Sequence, residues 1–534
     1  MMRSTAIALT VLIGLTGCTT PESTPAPSPA QQPDGLDDLA RQQLKWAECE
    51  NADLKDGGAE CASVEVPMDY REPARKKITI AIARKQASDK ARRRGVLLTN
   101  PGGPGAEGRS LALGLEGRPS AAVYDTIGMD PRGVGKSTQL FCDPRPESAT
   151  LPSRPTEDDL PKYTEHAKGD EAACASGGGD LRKHITSMNT ARDMDLIRRV
   201  LGEEKISFLG FSYGTFLGPL YGEMFAEHLD RIVLDSTQDP NQSWRDQEKD
   251  DVAAHHANVR AWKQWVADRD KSFHLGASPA DVQGVLDRFA ATLRDKRLGD
   301  LDDVTSFDSA VGTGARYRSL WAAFAWALGD LMPALDGGDV EADPAGQLAK
   351  LAHPDEGDSL RQDEKPNGTY QAILCDWSWP TNQEDYYADM RKVAAETPYG
   401  EAVNSVAPNN CSFTSGRDPM VEIKNRRYQP GVVVQADGDT QTAYRGGTAA
   451  ADKLDMPLIT VQNSGVHGHY GARKNACVDD AVNAYLIDGK LPERRTTCAA
   501  VADKLAGIAP DSAGGEPAKK GDSPSLEELV KNVK

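Results

Sequence analysis

The stretch KISFLGFSYGTFLG, residues 205–218, decides the fold. Ile206 to Leu209 has the length and composition of a buried strand, and FSYGTFLGPLYGEMFAEHL continues as a helix. Between them GFSYG (Gly210 to Gly214) fits G-x-S-x-G, the pattern of a nucleophile elbow. Small residues permit the tight turn, and the strain leaves the Ser212 hydroxyl exposed. The helix N-terminus adds a field that favours developing negative charge. An ordinary strand–helix turn with a capping serine would match the same letters. The strand before it and the helix after it favour the elbow.

On either side of this stretch the chain alternates between two periods. CASVEVPMDY and KKITIAIARK alternate apolar and polar residues, which predicts a half-exposed hairpin from about residue 61. RGVLLTN and AVYDTIGMD are short β-rich runs that end in PGGPG and PRGVG. NTARDMDLIRRVLG has helical spacing, with Met194, Ile197, Val200 and Leu201 on one face. RIVLDST reads as the strand after the elbow helix. This rhythm predicts a mostly parallel sheet covered on both faces, in a core whose first part runs over residues 45–240. Residues 241–420 carry helical text such as SPADVQGVLDRFAATLRDK and YRSLWAAFAWALGDLMPAL, which predicts a mainly helical insertion late in the sheet. Strand text returns over 421–500 with PGVVVQADGD and MPLITVQNSG, and 501–534 is a polar tail ending in SLEELVKNVK.

An oxyanion formed at Ser212 needs two N–H donors. One is the amide of the following residue, Tyr213; the other comes from the loop after an earlier strand. NPGGPG (Asn100 to Gly105) follows RGVLLT, and Gly103 is the preferred second donor, with Gly102 next. GVGKST superficially resembles the end of a phosphate-binding loop. That motif needs a glycine where this chain has Asp130, so nucleotide chemistry is not expected.

The order expected of an α/β-hydrolase is serine, then acid, then histidine. PGVVVQADGDTQT is a late strand end with two candidate acids, Asp437 and Asp439. In the next strand and its loop, MPLITVQNSGVHGHYG, His467 and His469 are two positions apart. A metal dyad would need further ligands at sensible spacing, and neither HExxH nor a nearby cysteine supplies them. No metal and no cofactor is expected.

The ends and the cysteines indicate the compartment. MMRSTAIALTVLIGLTGC has one early cation, an apolar run too short to span a bilayer, and small residues before Cys18. Residues 1–17 read as a lipoprotein signal, with Cys18 the lipidated first residue after cleavage. Residues 18–44, rich in Pro, Ser and Thr, read as an extended tether. The remaining eight cysteines are Cys49, Cys61, Cys142, Cys174, Cys375, Cys411, Cys477 and Cys498. In an exported protein their even number suggests four disulfides, and pairing sequential neighbours gives four modest loops. The chain has 534 residues, 62 Lys+Arg against 80 Asp+Glu, and a net charge of −18. Nucleic acid and anionic membrane surfaces need clustered positive charge, so neither is expected as a partner beyond the lipid anchor itself.

Taken together, NPGGPG, MDPRGVGKS, NTARDMDLIRRVLGEEKISFLGFSYGT, LDSTQDP and the late CVDDAVNAYLIDGKLP with its closing cysteine resemble the secreted tripeptidyl aminopeptidases of actinobacteria, relatives of the proline iminopeptidases. The likeness covers roughly residues 45 to 500 and is dense in the two sheet segments. It implies an α/β-hydrolase fold in which the helical insertion caps the site and limits access to peptide N-termini. Carried over by position, it makes Ser212 the nucleophile, selects Asp439 from Gln435-Ala436-Asp437-Gly438-Asp439, and selects His467 as the base. The usual glycine before that histidine is Val466 here, and a β-branched residue resists φ > 0, so a differently shaped loop is expected. The usual T-P after the acid is Thr442-Ala443. An enzyme of this kind also needs a carboxylate for the substrate's α-ammonium group, which the acidic insertion offers in abundance. Trp321, Phe324, Trp326, Trp377 and Trp379 are candidates for a pocket, although Trp321 and Phe324 at helical spacing read first as cap core. The implied activity is removal of short peptides from free N-termini. The competing expectations are an esterase using the same elbow and a non-catalytic peptide-binding lipoprotein.

Overall fold

In the computed structural model the described residues are 35–144, 151–339, 343–352, 367–414, 420–424, 428–501, 507–514, 516–519, 526, 528 and 529. The expected signal, Cys18 and most of the tether lie outside them.

The core is one ten-stranded sheet. Its strands are β1 (Ala47–Glu48), β2 (Glu60–Pro67), β3 (Lys77–Lys85), β4 (Gly95–Asn100), β5 (Tyr124–Met129), β6 (Ile206–Phe211), β7 (Leu229–Asp235), β8 (Val432–Ala436), β9 (Leu458–Gln462) and β10 (Arg495–Ala499). The spatial order is β1-β2-β3-β5-β4-β6-β7-β8-β9-β10. From β5 to β10 every neighbouring pair is parallel, whereas β1, β2 and β3 add an antiparallel edge. The strand patterns follow from this. β2 alternates buried and exposed residues because one face meets solvent, while every residue of β4 and β8 is buried because helices cover both faces.

Alternate residues of the parallel strands feed two separate cores. Val96, Leu98, Phe208 and Leu234 face one side, with Met194 and Ile197 of the helix Ser187–Val200 and Leu217 and Leu220 of Gly214–Met224. Leu97, Leu209, Val233 and Val434 face the other, against Val478 and Val482 of the helix Ala476–Asp488. The MDPRGVGKS segment is structural. Asp130 accepts the Gly108 and Arg109 amides at 2.9 and 3.2 Å, tying down the chain that leaves NPGGPG. Arg132 and Asp193, both fully buried, pair at 2.7 Å.

Between β7 and β8 the chain forms a helical layer with its own core of Trp262, Phe289, Phe307 and Phe324. Trp321, Phe324 and Trp326 are all buried there, whereas Trp377 and Trp379 are partly buried and pack against the main core. Two further segments join this layer. The excursion between β5 and β6 carries the helix Leu160–Gly178, whose Leu160 and Tyr163 pack with Val252, Met390 and Val403 of the insertion. Arg154 of the same excursion pairs with buried Asp308 at 2.8 Å. The second segment is the tail: Leu526 is buried in the cap core, and Arg269 Nε donates to the Ile508 carbonyl at 2.9 Å.

Four disulfides join sequential neighbours: Cys49–Cys61, Cys142–Cys174, Cys375–Cys411 and Cys477–Cys498. Loops of this length restrict the unfolded chain by about 3 kcal/mol each. Cys142–Cys174 closes the excursion, and Cys375–Cys411 joins two stretches of the insertion that pack on the main core, where regular sheet pairing gives no help.

Candidate active site

Ser212 stands between β6 and the helix Gly214–Met224 with φ 54°. The left-handed region costs a residue with a Cβ about 1–3 kcal/mol. Its neighbours impose it: the Ser212 amide donates to the Asp235 carbonyl at 3.1 Å, and Thr215 Oγ1 donates to the Ser212 carbonyl at 2.6 Å. The turn is so tight that a Cβ on Gly210 would lie 2.4 Å from the Gly214 carbonyl oxygen. The NPGGPG loop leans on the elbow from the other side. A Cβ on Gly102 would lie 2.6 Å from the Phe211 carbonyl oxygen and 2.7 Å from Ser212 Cβ. The Gly102 amide is used internally, donating to Asn100 Oδ1 at 2.9 Å, whereas the Gly103 amide has no acceptor among the described residues. Tyr213 anchors the other flank; its buried hydroxyl donates to Ser187 Oγ at 2.9 Å and its ring stacks on Trp244.

At the ends of the next strands, His467 Nδ1 and Asp439 Oδ2 are 2.7 Å apart. The carboxylate is fully buried and the imidazole partly accessible. Burial alone would raise the Asp439 pKa. The His467 ring and its hydrogen bond, the Arg316 guanidinium and the Gln441 amide outweigh it and hold the group at about 2. Thr442 Oγ1 donates to Oδ2 at 3.0 Å and the Gln441 amide to Oδ1 at 2.9 Å. Thr442, the retained member of Thr442-Ala443, therefore supports Asp439 directly. Asp437 serves the backbone instead. Exposed at the strand end, it accepts the Asn463 and Ser464 amides and caps the turn that leads into the histidine loop.

Val466 is buried and takes no positive φ; the left-handed turn falls on Gly468, at φ 78°. The chain thus turns at a residue that permits it, and the expected conflict at Val466 does not arise. His469 is 2% exposed, so it lies in the protein interior and not on a substrate surface. Burial, opposed by Asp235 and Asp439, lowers its pKa and keeps it neutral, and its Nε2 has no hydrogen-bond partner among the described residues.

Sequence reasoning did not single out Asp235. Its backbone carbonyl takes the Ser212 amide while its carboxylate takes the His469 and Tyr470 amides at 3.0 and 2.6 Å. The next residue, Ser236, accepts the Gly468 amide at 2.7 Å. One strand end therefore supports both the elbow and the histidine loop. The available signal was a carboxylate ending the apolar run RIVLD, since a buried acid requires donors.

The long helix Trp244–Ala267 lays a polar face over the acid loop. Asp251 accepts the Ala443 amide at 2.7 Å, and Asn258 Nδ2 donates to the Gly438 carbonyl at 2.8 Å. Glu248, one turn before Asp251, has its pKa pushed up to about 7 by burial. That of Asp251 is also raised well above the usual carboxylate range, by burial and then by the Glu248 charge. Neither acid is paired with a cation among the described residues. Tyr370, 41% exposed, feels both carboxylates, and its backbone nitrogen lies 3.3 Å from where a Cβ on Gly105 would sit. Tyr370 thus links the neighbourhood of these two acids to the NPGGPG loop.

Residues 95–331 match the family described as "alpha/beta hydrolase fold", and residues 397–498 match "TAP-like protein". Tripeptidyl aminopeptidase from Streptomyces lividans is 31% identical over 480 residues, covering 86% of this chain and 87% of that protein. The chain belongs to the tripeptidyl aminopeptidase family of α/β-hydrolases. Serine protease Hip1 of Mycobacterium tuberculosis is 27% identical over 86% of this chain and 91% of its own length. Carboxylesterase B of the same organism is 29% identical over 89% and 94%. Membership makes the protein a serine peptidase of the α/β-hydrolase class and sets aside the expectation of a non-catalytic binding lipoprotein. Among the described residues no helix is long and apolar enough to cross a membrane.

Proposed function

We propose that the protein is an exported serine exopeptidase that removes short peptides, tripeptides in particular, from free N-termini through Ser212, His467 and Asp439. The observation that carries this reading is the 2.7 Å His467–Asp439 hydrogen bond, on a histidine loop that Asp235 and Ser236 tie to a serine held at positive φ. Ser212 Oγ attacks the scissile carbonyl carbon while His467 Nε2 takes its proton. Asp439, ionised at any working pH, orients the ring and stabilises the imidazolium. The Gly103 and Tyr213 amides receive the oxyanion. His467 then returns the proton to the leaving amine, and water hydrolyses the acyl-enzyme.

The substrate's α-ammonium group is received by Glu248 and Asp251. Two buried acids on the helix Trp244–Ala267, with no paired cation among the described residues, are relieved by a bound ammonium, which also fixes the distance from the chain end to the cleaved bond. Export rests on the LTGC signal with Cys18, and the four disulfides agree with an oxidising compartment. The protein is then held by lipid on the outer face of the cytoplasmic membrane.

The esterase reading is favoured by the relative named Carboxylesterase B. A panel of free-amine and N-blocked substrates of one to four residues, beside simple esters, separates the two. A preference for free-amine tripeptides that Glu248→Gln removes supports the exopeptidase. Equal turnover of blocked and free substrates overturns it in favour of the esterase.

A further inference from the structure

Arg316 ends the cap helix Val304–Arg316 and is 9% exposed. Its Nε donates to the Gly465 carbonyl at 3.0 Å, and its Nη2 donates to Gln441 Oε1 at 3.0 Å and stands 3.7 Å from Asp439 Oδ1. Gly465 lies two residues before His467, and Gln441 two residues after Asp439. One guanidinium therefore spans the loop of the acid and the loop of the base. The planar fork suits this, because its donors are fixed relative to one another. The Tyr317 ring lies 4.8 Å beneath the guanidinium carbon. The approach is close enough that a Cβ on Gly465 would lie 2.0 Å from the Arg316 carbonyl oxygen. A second cap contact runs parallel to it, since Arg318 holds Asn258, which in turn holds the Gly438 carbonyl.

We propose that Arg316 is a positioning residue for the acid–base pair, so that the cap is a structural part of the proton relay as well as its cover. Asp439 Oδ1 is occupied by the Gln441 amide and faced by Arg316, which leaves Oδ2 to His467 and Thr442. Without the fork, the histidine loop keeps its ties to the acid loop through Asp437 and Gly438 but loses the one supplied by Arg316, and the 2.7 Å contact is no longer set from the insertion. The inference rests on the Ser212–His467–Asp439 reading above.

The test is the second-order rate at which a small fluorophosphonate labels Ser212 in the full chain, read with kcat and KM on a free-amine tripeptide. Arg316→Met lowers the labelling rate and kcat by roughly 10²-fold, the size expected of an ångström-scale misplacement, with KM little changed. Arg316→Lys keeps the charge without the fork and recovers only part of the rate. Gln441→Leu, at an exposed residue, costs several-fold alone but nothing further in the Arg316→Met background, because both remove the same link. Labelling at the wild-type rate in folded Arg316→Met overturns the proposal, as do a loss confined to KM and full recovery with lysine. Where Arg316→Met does not fold, wild-type labelling in both Arg316→Lys and Gln441→Leu overturns it equally. Absence of labelling at Ser212 in the wild-type protein removes the triad reading itself, which is a separate result.

Discussion

The two halves of the proposed active site are held by different means. The proposed nucleophile half, from Asn100 to Gly105 and from Gly210 to Thr215, is held by main-chain hydrogen bonds, by its own Asn100 and Thr215 side chains and by glycines that allow backbones to touch. The acid–histidine half is held by side chains, several of them from the cap: Asp251, Asn258 and Arg316. A backbone-built half is written in consecutive residues and tolerates surface change. A half built by side chains depends on elements far apart in sequence, so it is the one that distant substitutions disturb. Asp235 is where the two meet, its carbonyl in one half and its carboxylate in the other.

The largest effects remove the reacting groups from each half. Ser212→Ala is expected to abolish turnover of tripeptide substrates and labelling by a fluorophosphonate; residual labelling would place the nucleophile elsewhere. Asp439→Asn should cost roughly 10⁴-fold in kcat, the loss seen when a triad acid can no longer hold the ring in its working tautomer. Asp235→Ala comes next and sharpens the comparison. Two amides lose a buried acceptor, which should destabilise the fold by about 2–4 kcal/mol in denaturant unfolding. Both the labelling rate and kcat should fall together, since both halves lose their common support. A variant that unfolds more readily yet labels normally would separate them.

A smaller, graded effect concerns pH. Burial lifts Glu248 to about 7, so its carboxylate charges as pH rises through that value. The ratio of kcat/KM for free-amine over N-blocked substrates is expected to increase across this window, because the ammonium then meets a full charge. It should fall again as the substrate amine deprotonates near about pH 8. Taking the ratio cancels any pH dependence of the chemical step, which both substrates share. The sign is opposite for stability: an acid whose pKa is raised by folding favours the folded state below its unfolded value, and that contribution is lost as pH rises towards about 7. Glu248→Gln should flatten the ratio.

The same division explains what could be read from the sequence. Strands such as GVLLTN and KISFL carry their burial in consecutive letters, and the strand–turn–helix is contained in five residues, so the sheet, the tight turn at Ser212 and the NPGGPG loop were legible. β10 was not, because RTTCA alternates weakly and pairs only with β9. The excursion around Leu160–Gly178 read as part of the core, yet it joins the cap through Tyr163 and Arg154, whose partners lie far along the chain where no local pattern announces them. Choosing Asp439 over Asp437 needed a family pattern, since both aspartates end the same strand. Their difference lies in what they face: main-chain amides for one, an imidazole for the other. Arg316 and Asn258 were invisible for the same reason, being polar residues in helical text whose partners are equally remote in sequence.

The smallest expected effect tests the side-chain half at its most ambiguous point. His467 and His469 share one loop, and only burial and partners distinguish them. His467 meets Asp439 at 2.7 Å with part of its ring accessible, while the ring of His469 is enclosed and neutral and gives only its backbone amide to Asp235. His469→Ala leaves that amide in place and removes a ring whose Nε2 bonds to nothing, so kcat should change only several-fold, through loosening around the cavity left behind. His467→Ala, by contrast, should approach the loss of Ser212→Ala. Equal losses in the two variants would mean that the loop, and not the individual ring, is the catalytic unit. A larger loss for His469 would reverse the assignment of the base.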